Sequence, residues 1–255
     1  MSQQWAAKSV VVGIDGSRAA INAAKWAVAE ATRSLLPLRL VYVLSIAKSP
    51  PASAGAVQPT LERAQNALST AEYAVHSVRK SVDVETALLR GDPDDVLIDE
   101  SRDAAMVCVG SKPQTDTLLG STAGALARHA HCPVAIIRTD SYAPHTDGGA
   151  IAVVRNDESD NDAVVHAAME EGRLRRATVR QIDLRTDSWV RRYPDVHVQI
   201  LAEGPQAQYP VSYDPTIQLA VVGRAEADEI TQPITPSTHP LLGEHPNCSV
   251  LVIRD

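Results

Sequence analysis

Residues 106–138 read MVCVGSKPQTDTLLGSTAGALARHAHCPVAIIR, and the order of residue types along them decides the fold. Residues 104–109 form a short apolar run with the length and β-branched content of a buried strand, and the run stops at Gly110. A polar loop follows. Gly120, Ser121 and Thr122 then open a helical segment in which Leu126 and Ala130 lie four apart, and Cys132-Pro133 closes it ahead of a second apolar run at 134–137. Strand, glycine, loop, Gly-Ser, helix and strand make half of a phosphate-binding crossover. A glycine lets backbone come close to a ligand, the unpaired N–H groups of a helix's first turn attract anions, and Ser121 and Thr122 add hydroxyl donors. The same residues also fit a plainer reading, a tight turn followed by an N-cap, so the rest of the chain has to choose.

Upstream, residues 9–14 (SVVVGI) are an apolar strand that Asp15-Gly16-Ser17 turns into a helix, along which Ile21, Ala24, Val28, Ala31 and Leu35 repeat at spacings of three and four. The next strand is expected at 38–44. Residues 45–59 are rich in Pro, Ala and Ser without periodicity and read as a long mobile loop. A second amphipathic helix follows on Leu61, Ala64, Leu68, Ala71, Val75 and Val78, then a weakly alternating outer strand at 82–89. Gly91-Asp92-Pro93-Asp94-Asp95 is a capped helix start, with proline suited to the first helical position and the acids to the positive end of the dipole. This alternation predicts an α/β fold, a parallel doubly wound sheet covered by helices on both faces. Such sheets bind ligands outside the strand carboxyl ends, where the winding reverses. If strands 1 and 4 are neighbours there, Asp15 and Gly110 line the crevice; as a helix cap, Asp15 has an equally ordinary explanation.

Composition bounds the alternatives. At 255 residues the chain has room for two domains, and its 44% apolar and 22% charged content is that of a globular protein. A net charge of −7 argues against general nucleic-acid binding, and the arginines at 173, 175, 176, 180, 185, 191 and 192 read as solvated helix ends and loop surface. No apolar run reaches membrane-spanning length, so no membrane partner is expected, and the amino terminus has no secretory pattern. Cys108, Cys132 and Cys248 are odd in number and lack metal-type spacing, which suits a reducing cytoplasm. Cys108 itself reads as a small buried strand residue, and His129 and His131 as companions of a helix C-terminus.

Taken together, VVVGIDGS at 10–17, LVYVL at 40–44, VCVGS at 107–111 and GSTAGALARHAHCPVAIIR at 120–138 resemble a universal stress protein domain over essentially all of residues 8–139. The resemblance implies a Rossmann-like five-stranded parallel sheet in the order 3-2-1-4-5 and, for many members, ATP bound by an aspartate after strand 1, backbone at the end of strand 2 and a G-x2-G-x9-G-[ST] motif after strand 4. Carried over by position, Asp15 matches the aspartate, Val43 the adenine-side backbone, Gly110 the first glycine and Gly120-Ser121 the last pair, with Thr122 beside them. Two departures stand out. Pro113 replaces the second glycine, and six residues instead of nine separate it from Gly120. Proline has no N–H to donate, and each charge-assisted donor lost is worth roughly 1.5 to 3 kcal/mol, so ATP binding is expected to be weakened. The sequence assigns no role to magnesium.

The second half reads as a degraded copy of the first. Residues 151–154 are strand-like, Asp157-Glu158-Ser159 echoes Asp15-Gly16-Ser17, and Val164, Ala168 and Glu171 mark a helix ending near Gly172. Strands are expected at 178–184, 193–201 and 217–222, the last followed by Gly223 as its counterpart is by Gly110, and CSVLVIR at 248–254 repeats CPVAIIR at 132–138. Pro236-Ser237-Thr238 stands where Gly120-Ser121-Thr122 would be, and Pro233, Pro236, Pro240 and Pro246 crowd the place of the fourth helix. The expected organisation is a nucleotide-binding domain over 1–140, a linker over 141–149 and a degenerate domain over 150–255 with an empty nucleotide crevice. Last strands at sheet edges are commonly paired antiparallel about a two-fold axis in this family. The resemblance therefore implies an internal pseudo-dimer that also forms a homodimer.

No Walker A loop, G-x-S-x-G elbow, H-E-x-x-H helix or Cys-x-x-Cys pair is present, so no enzyme is expected, slow ATP hydrolysis being the weaker alternative. Two functions remain open: a nucleotide-dependent stress regulator whose partners change with ATP or another adenine nucleotide, and an interaction scaffold that has lost its nucleotide. The tandem organisation resembles actinobacterial members, some of which are tied to dormancy and low oxygen. The protein partners are not identified by the sequence.

Overall fold

The computed structural model describes residues 8–45, 57–111, 119–138, 149–153, 161–182, 191–201, 217–224 and 248–254. Residues 141–148 of the linker, the proline-rich stretch at 225–247, the Asp157-Glu158-Ser159 echo and Pro113 lie outside the described residues. Two compact units divide the chain, Met1–Ser111 with Ser121–Ile137, and Lys112–Gly120 with Arg138–Asp255.

The first unit carries β1 (Ser9–Ile14), α1 (Arg18–Ser34), β2 (Leu38–Ser45), α2 (Val57–Val78), β3 (Val84–Gly91), α3 (Pro93–Glu100), β4 (Ala104–Ser111), α4 (Ser121–His129) and β5 (Val134–Arg138). Its sheet runs β3-β2-β1-β4-β5, with β1 parallel to both β2 and β4 and β2 parallel to β3. Strands buried on both faces need continuous apolar runs, and Val10, Val11 and Val12 of β1 and Val107, Cys108 and Val109 of β4 are all buried.

Helix α1 begins where the Ser17 hydroxyl accepts the Ala20 N–H at 3.1 Å. Its buried face is Ala19, Ala20, Ala23, Ala24, Ala27, Val28 and Ala31, small side chains that bring the helix axis close to the sheet. Leu35, expected on that stripe, lies beyond the helix instead. It caps the C-terminus in the left-handed conformation at φ 54° and is 91% exposed. Helix α2 starts at Val57, four residues before Leu61, because Pro59 falls in the first turn, where no N–H is needed. Asp92 caps α3 and Pro93 occupies its first turn, as the sequence predicts.

Strand β4 does not end before Gly110 but runs through it to Ser111. The reason is a close approach. A Cβ at Gly110 would sit 2.2 Å from the Ala19 carbonyl carbon and 2.4 Å from the Ala20 nitrogen, so only glycine lets the first turn of α1 pass here.

The second unit carries β6 (Ala150–Val153), α5 (Asn161–Arg175), β7 (Thr178–Ile182), β8 (Val198–Leu201), β9 (Ile217–Val222) and β10 (Ser249–Val252). Its strand order, β8-β7-β6-β9-β10, is that of the first unit, and every pairing given within it is parallel. Helix α5 runs three residues past Gly172. The strand expected at 193–201 begins only at Val198, because Val196 donates its N–H to the Tyr193 carbonyl in a turn.

Repetition extends to the register. Val10 stands opposite Leu38 in one unit and Ile151 opposite Val179 in the other, 141 positions on in both strands. The bulge between Ser9 and Val10 recurs between Ala150 and Ile151. Leu35 at φ 54° recurs as Arg176 at φ 51°, and each is followed by the same bond from the next N–H to a carbonyl five residues back, Leu36 to Ala31 and Ala177 to Gly172, both 3.0 Å. The fold is thus an α/β, Rossmann-like unit with a second, partial copy.

Candidate functional site

Order β3-β2-β1-β4-β5 makes β1 the strand from which the winding departs in both directions, so the crevice opens beyond the carboxyl ends of β1, β2 and β4. A cleft of about 250 Å³ lies there. Asp15 and Gly13 reach it from the end of β1, Tyr42, Val43 and Ser45 from β2, and Val109 and Gly110 from β4. Ala20 of α1, Pro93 and Leu97 of α3 and Thr122 of α4 complete its wall. The volume falls a little short of the roughly 300–1,000 Å³ typical of sites that enclose a drug-sized ligand.

Of the six residues singled out in the sequence, Asp15, Val43, Gly110 and Thr122 line this one cleft, whereas Gly120 and Ser121 are not part of its wall. Ser121 opens α4 and Gly120 precedes it, one and two positions from Thr122. Sequence reasoning missed Tyr42, Ser45, Pro93 and Leu97. The α3 residues come from an element that carried no motif, and their signal was only the helix start at Asp92-Pro93.

The local chemistry of Asp15 is settled by the chain itself. Its Oδ1 accepts the Ser17 N–H at 2.8 Å, while the carboxylate is exposed at the cleft mouth. An Asx-type turn of this kind fixes where β1 hands over to α1. Gly110 likewise has a packing role against α1, described above, as well as its place in the wall.

Cys108, Cys132 and Cys248 are buried and not joined in disulfides, and burial pushes the Cys248 thiol up to about 12, far from a reactive thiolate. Among the described residues no group of three or more His, Cys, Asp or Glu side chains is placed to hold a metal ion. No helix of the described residues is long and apolar enough to cross a membrane.

Comparison with known proteins points one way. The Universal stress protein family model matches residues 6–138. Universal stress protein Rv2624c of Mycobacterium tuberculosis H37Rv is 40% identical over 266 residues, covering 97% of this chain and 96% of that protein. Universal stress protein Rv3134c of the same strain is 35% identical over 280 residues, covering 100% of this chain and 98% of its own length. A crystal structure of a universal stress protein from Archaeoglobus fulgidus DSM 4304 superimposes with a TM-score of 0.67 at 14% identity, over 98% of this chain and 99% of that one, a likeness of fold. With the family model spanning its first half and mycobacterial relatives aligned along nearly its whole length, the chain belongs to the universal stress protein family.

Proposed function

We propose that this chain is a stress-response regulatory protein that binds an adenine nucleotide in the cleft of its first domain, ATP among the ligands and only weakly. In this reading residues 1–140 form the binding domain, 141–149 a linker and 150–255 a degenerate domain with an empty crevice. The chain works in the cytoplasm as a homodimer and binds rather than catalyses. The observation that supports it is the meeting of Asp15, Val43, Gly110 and Thr122 around one cleft at the switch point of the sheet. The β2 backbone at Val43 offers hydrogen-bonding groups to a purine edge, the apolar wall takes the ring, and the first turn of α4 is the natural seat for phosphate.

A second reading, a nucleotide-free scaffold, is favoured by one specific pair of facts: Asp15 is engaged by Ser17, and Gly110 is required by α1 whether or not a ligand binds. Thermal denaturation with and without ATP separates the two. A ligand that binds only the folded state with a dissociation constant near 0.1–1 mM adds roughly 1–2 kcal/mol at 5 mM, a rise of a few degrees. Calorimetric stoichiometry should be one per chain. No shift at 5 mM and no co-purifying nucleotide would replace the regulator with the scaffold.

A further inference from the structure

One level of the sheet forms the floor of the cleft. In register, Gly13 of β1 stands opposite Val41 of β2 and Val109 of β4, and all three line the cleft. Aligned residues of parallel strands share a face, so the side chains of Val41 and Val109 flank a gap left by the bare backbone at Gly13. Leu97 fills that gap. A Cβ built on Gly13 would lie 3.0 Å from Leu97 Cδ1 and 3.8 Å from its Cδ2, with Val109 Cγ1 at 3.2 Å. Helix α3 links the carboxyl end of β3 to the amino end of β4, two strands of one parallel sheet, so it starts beside the cleft and runs back along the sheet. Pro93 and Leu97 both line the cleft and lie four apart on one face of this helix, which puts Leu97 about 6 Å deeper than Pro93. Leu97 is buried there. Val43, two residues beyond Val41 on the same face, stands above this floor.

Building on the adenine reading above, we propose that Leu97 is a specificity-determining residue of the cleft: seated on Gly13 between Val41 and Val109, it limits the size of the ring system that enters beneath Val43. Gly13, Val41 and Val109 belong to the inner strands and are fixed by the packing of the sheet. Leu97 comes from a helix, and it is the part of the floor that a substitution lowers without altering a strand. Truncation to alanine removes three carbons. A ligand carrying three more carbons on its inserted edge refills the space, at about fourfold in affinity for each carbon fully buried.

Isothermal titration of the full chain with ATP and with three ATP analogues, bearing an isopropyl group at C2, N6 or C8 of the base, tests this. The proteins are the parent, Leu97→Ala, and Leu97→Ala combined with Gly13→Ala. In Leu97→Ala one analogue is expected to gain about tenfold or more relative to ATP. Adding Gly13→Ala places a methyl group in the vacated space and is expected to take back about fourfold of that gain. A purely structural role for Leu97 would weaken all four ligands alike and raise none. Where Leu97→Ala does not fold, Leu97→Val with the corresponding methyl analogues carries the same test, with an expected gain of about fourfold. Analogue-to-ATP ratios equal in the parent and the truncated variants, with ATP still bound, overturn this inference and leave the adenine reading intact. A gain that Gly13→Ala leaves unchanged overturns the seating of Leu97 on Gly13. Absence of ATP binding by the parent overturns the adenine reading and this inference with it.

Discussion

Replacing Gly110 with alanine asks whether this glycine serves the fold or the ligand. The added Cβ would stand 2.2 Å from the Ala19 carbonyl carbon, 2.4 Å from the Ala20 nitrogen and 2.5 Å from the Ala19 oxygen. Carbon contacts settle at about 3.5–4.0 Å, so α1 must retreat from β4 by about 1.3 Å or more. No flexible side chain can absorb that displacement, because all three atoms are backbone. The retreat strips contacts from Ala19, Ala20, Ala23, Ala24 and Ala27, all buried on the face that meets the sheet. A gap of 0.5–1 Å already forfeits a quarter to a half of each contact, which sets the cost near the upper end of overpacking, about 3 kcal/mol. With a urea slope of about 2 kcal/mol per molar, the midpoint falls by about 1.5 M. Trp26 lies within α1, and its fluorescence, isolated by replacing Trp5 and Trp189, reports this unit, with far-UV circular dichroism as the second probe. Gly16→Ala is the control: Gly16 sits at φ +81° with only the Ala67 Cβ nearby, at 3.5 Å, so it incurs the backbone penalty alone, about 1–2 kcal/mol. A Gly110→Ala midpoint within about 0.5 M of the parent, or a larger loss from Gly16→Ala, would refute the packing argument.

Leu35→Gly should stabilise the first unit by about 0.5–1 kcal/mol, because the left-handed cap is relieved and a side chain that is 91% exposed contributes no packing; a higher melting temperature checks it. Glu171 and Arg175 form an ion pair at 2.7 Å with side chains only 3% and 4% exposed. Glu171→Ala should therefore cost about 3–5 kcal/mol in denaturant unfolding, whereas Glu171→Met with Arg175→Leu should cost much less. Asp195 is held below its ordinary value of 3.8 chiefly by the hydrogen bond from Arg173. Since the folded carboxylate titrates below the unfolded one, its contribution is present above about pH 4 and disappears as pH falls through the folded value, so Asp195→Asn should shallow the acid side of a stability–pH profile.

Strands and helices of the first unit were legible because their burial is periodic. β1 is a run buried on both faces, and the α2 stripe Ala64, Leu68, Ala71 and Val75 is buried at the spacing that predicts it. Asp92-Pro93 gave the start of α3 because capping and the missing N–H are local properties of those two residues. What failed depended on partners distant in sequence. Leu35 continues the α1 stripe on paper, yet the helix has already ended, and a Schellman-type bond from Leu36 to Ala31 turns Leu35 outward. Tyr193 and Val196 are buried as a strand would bury them, but they sit in a turn ahead of β8. Four of six candidate site residues share the cleft, while Pro93 and Leu97 enter it from α3, a juxtaposition that no spacing along the chain encodes.

Counting motif residues in the second half overstates its case as a ligand site. Gly223 follows β9 as Gly110 closes on the end of β4, and on sequence alone its retention looks like a remnant of phosphate binding. Gly110, however, is demanded by the backbone of α1 at 2.2 Å, a requirement that exists with no ligand bound. The features that the two units demonstrably share are of the same kind. The bulge at the start of β1 and β6, the left-handed residues Leu35 and Arg176, and the buried Glu30 and Glu171 all concern how the chain is folded. A copy retained for its fold would keep these and be free to lose Gly120, in whose place Pro236 stands ahead of Ser237-Thr238. Glycine at position 223 is therefore no argument for a second nucleotide.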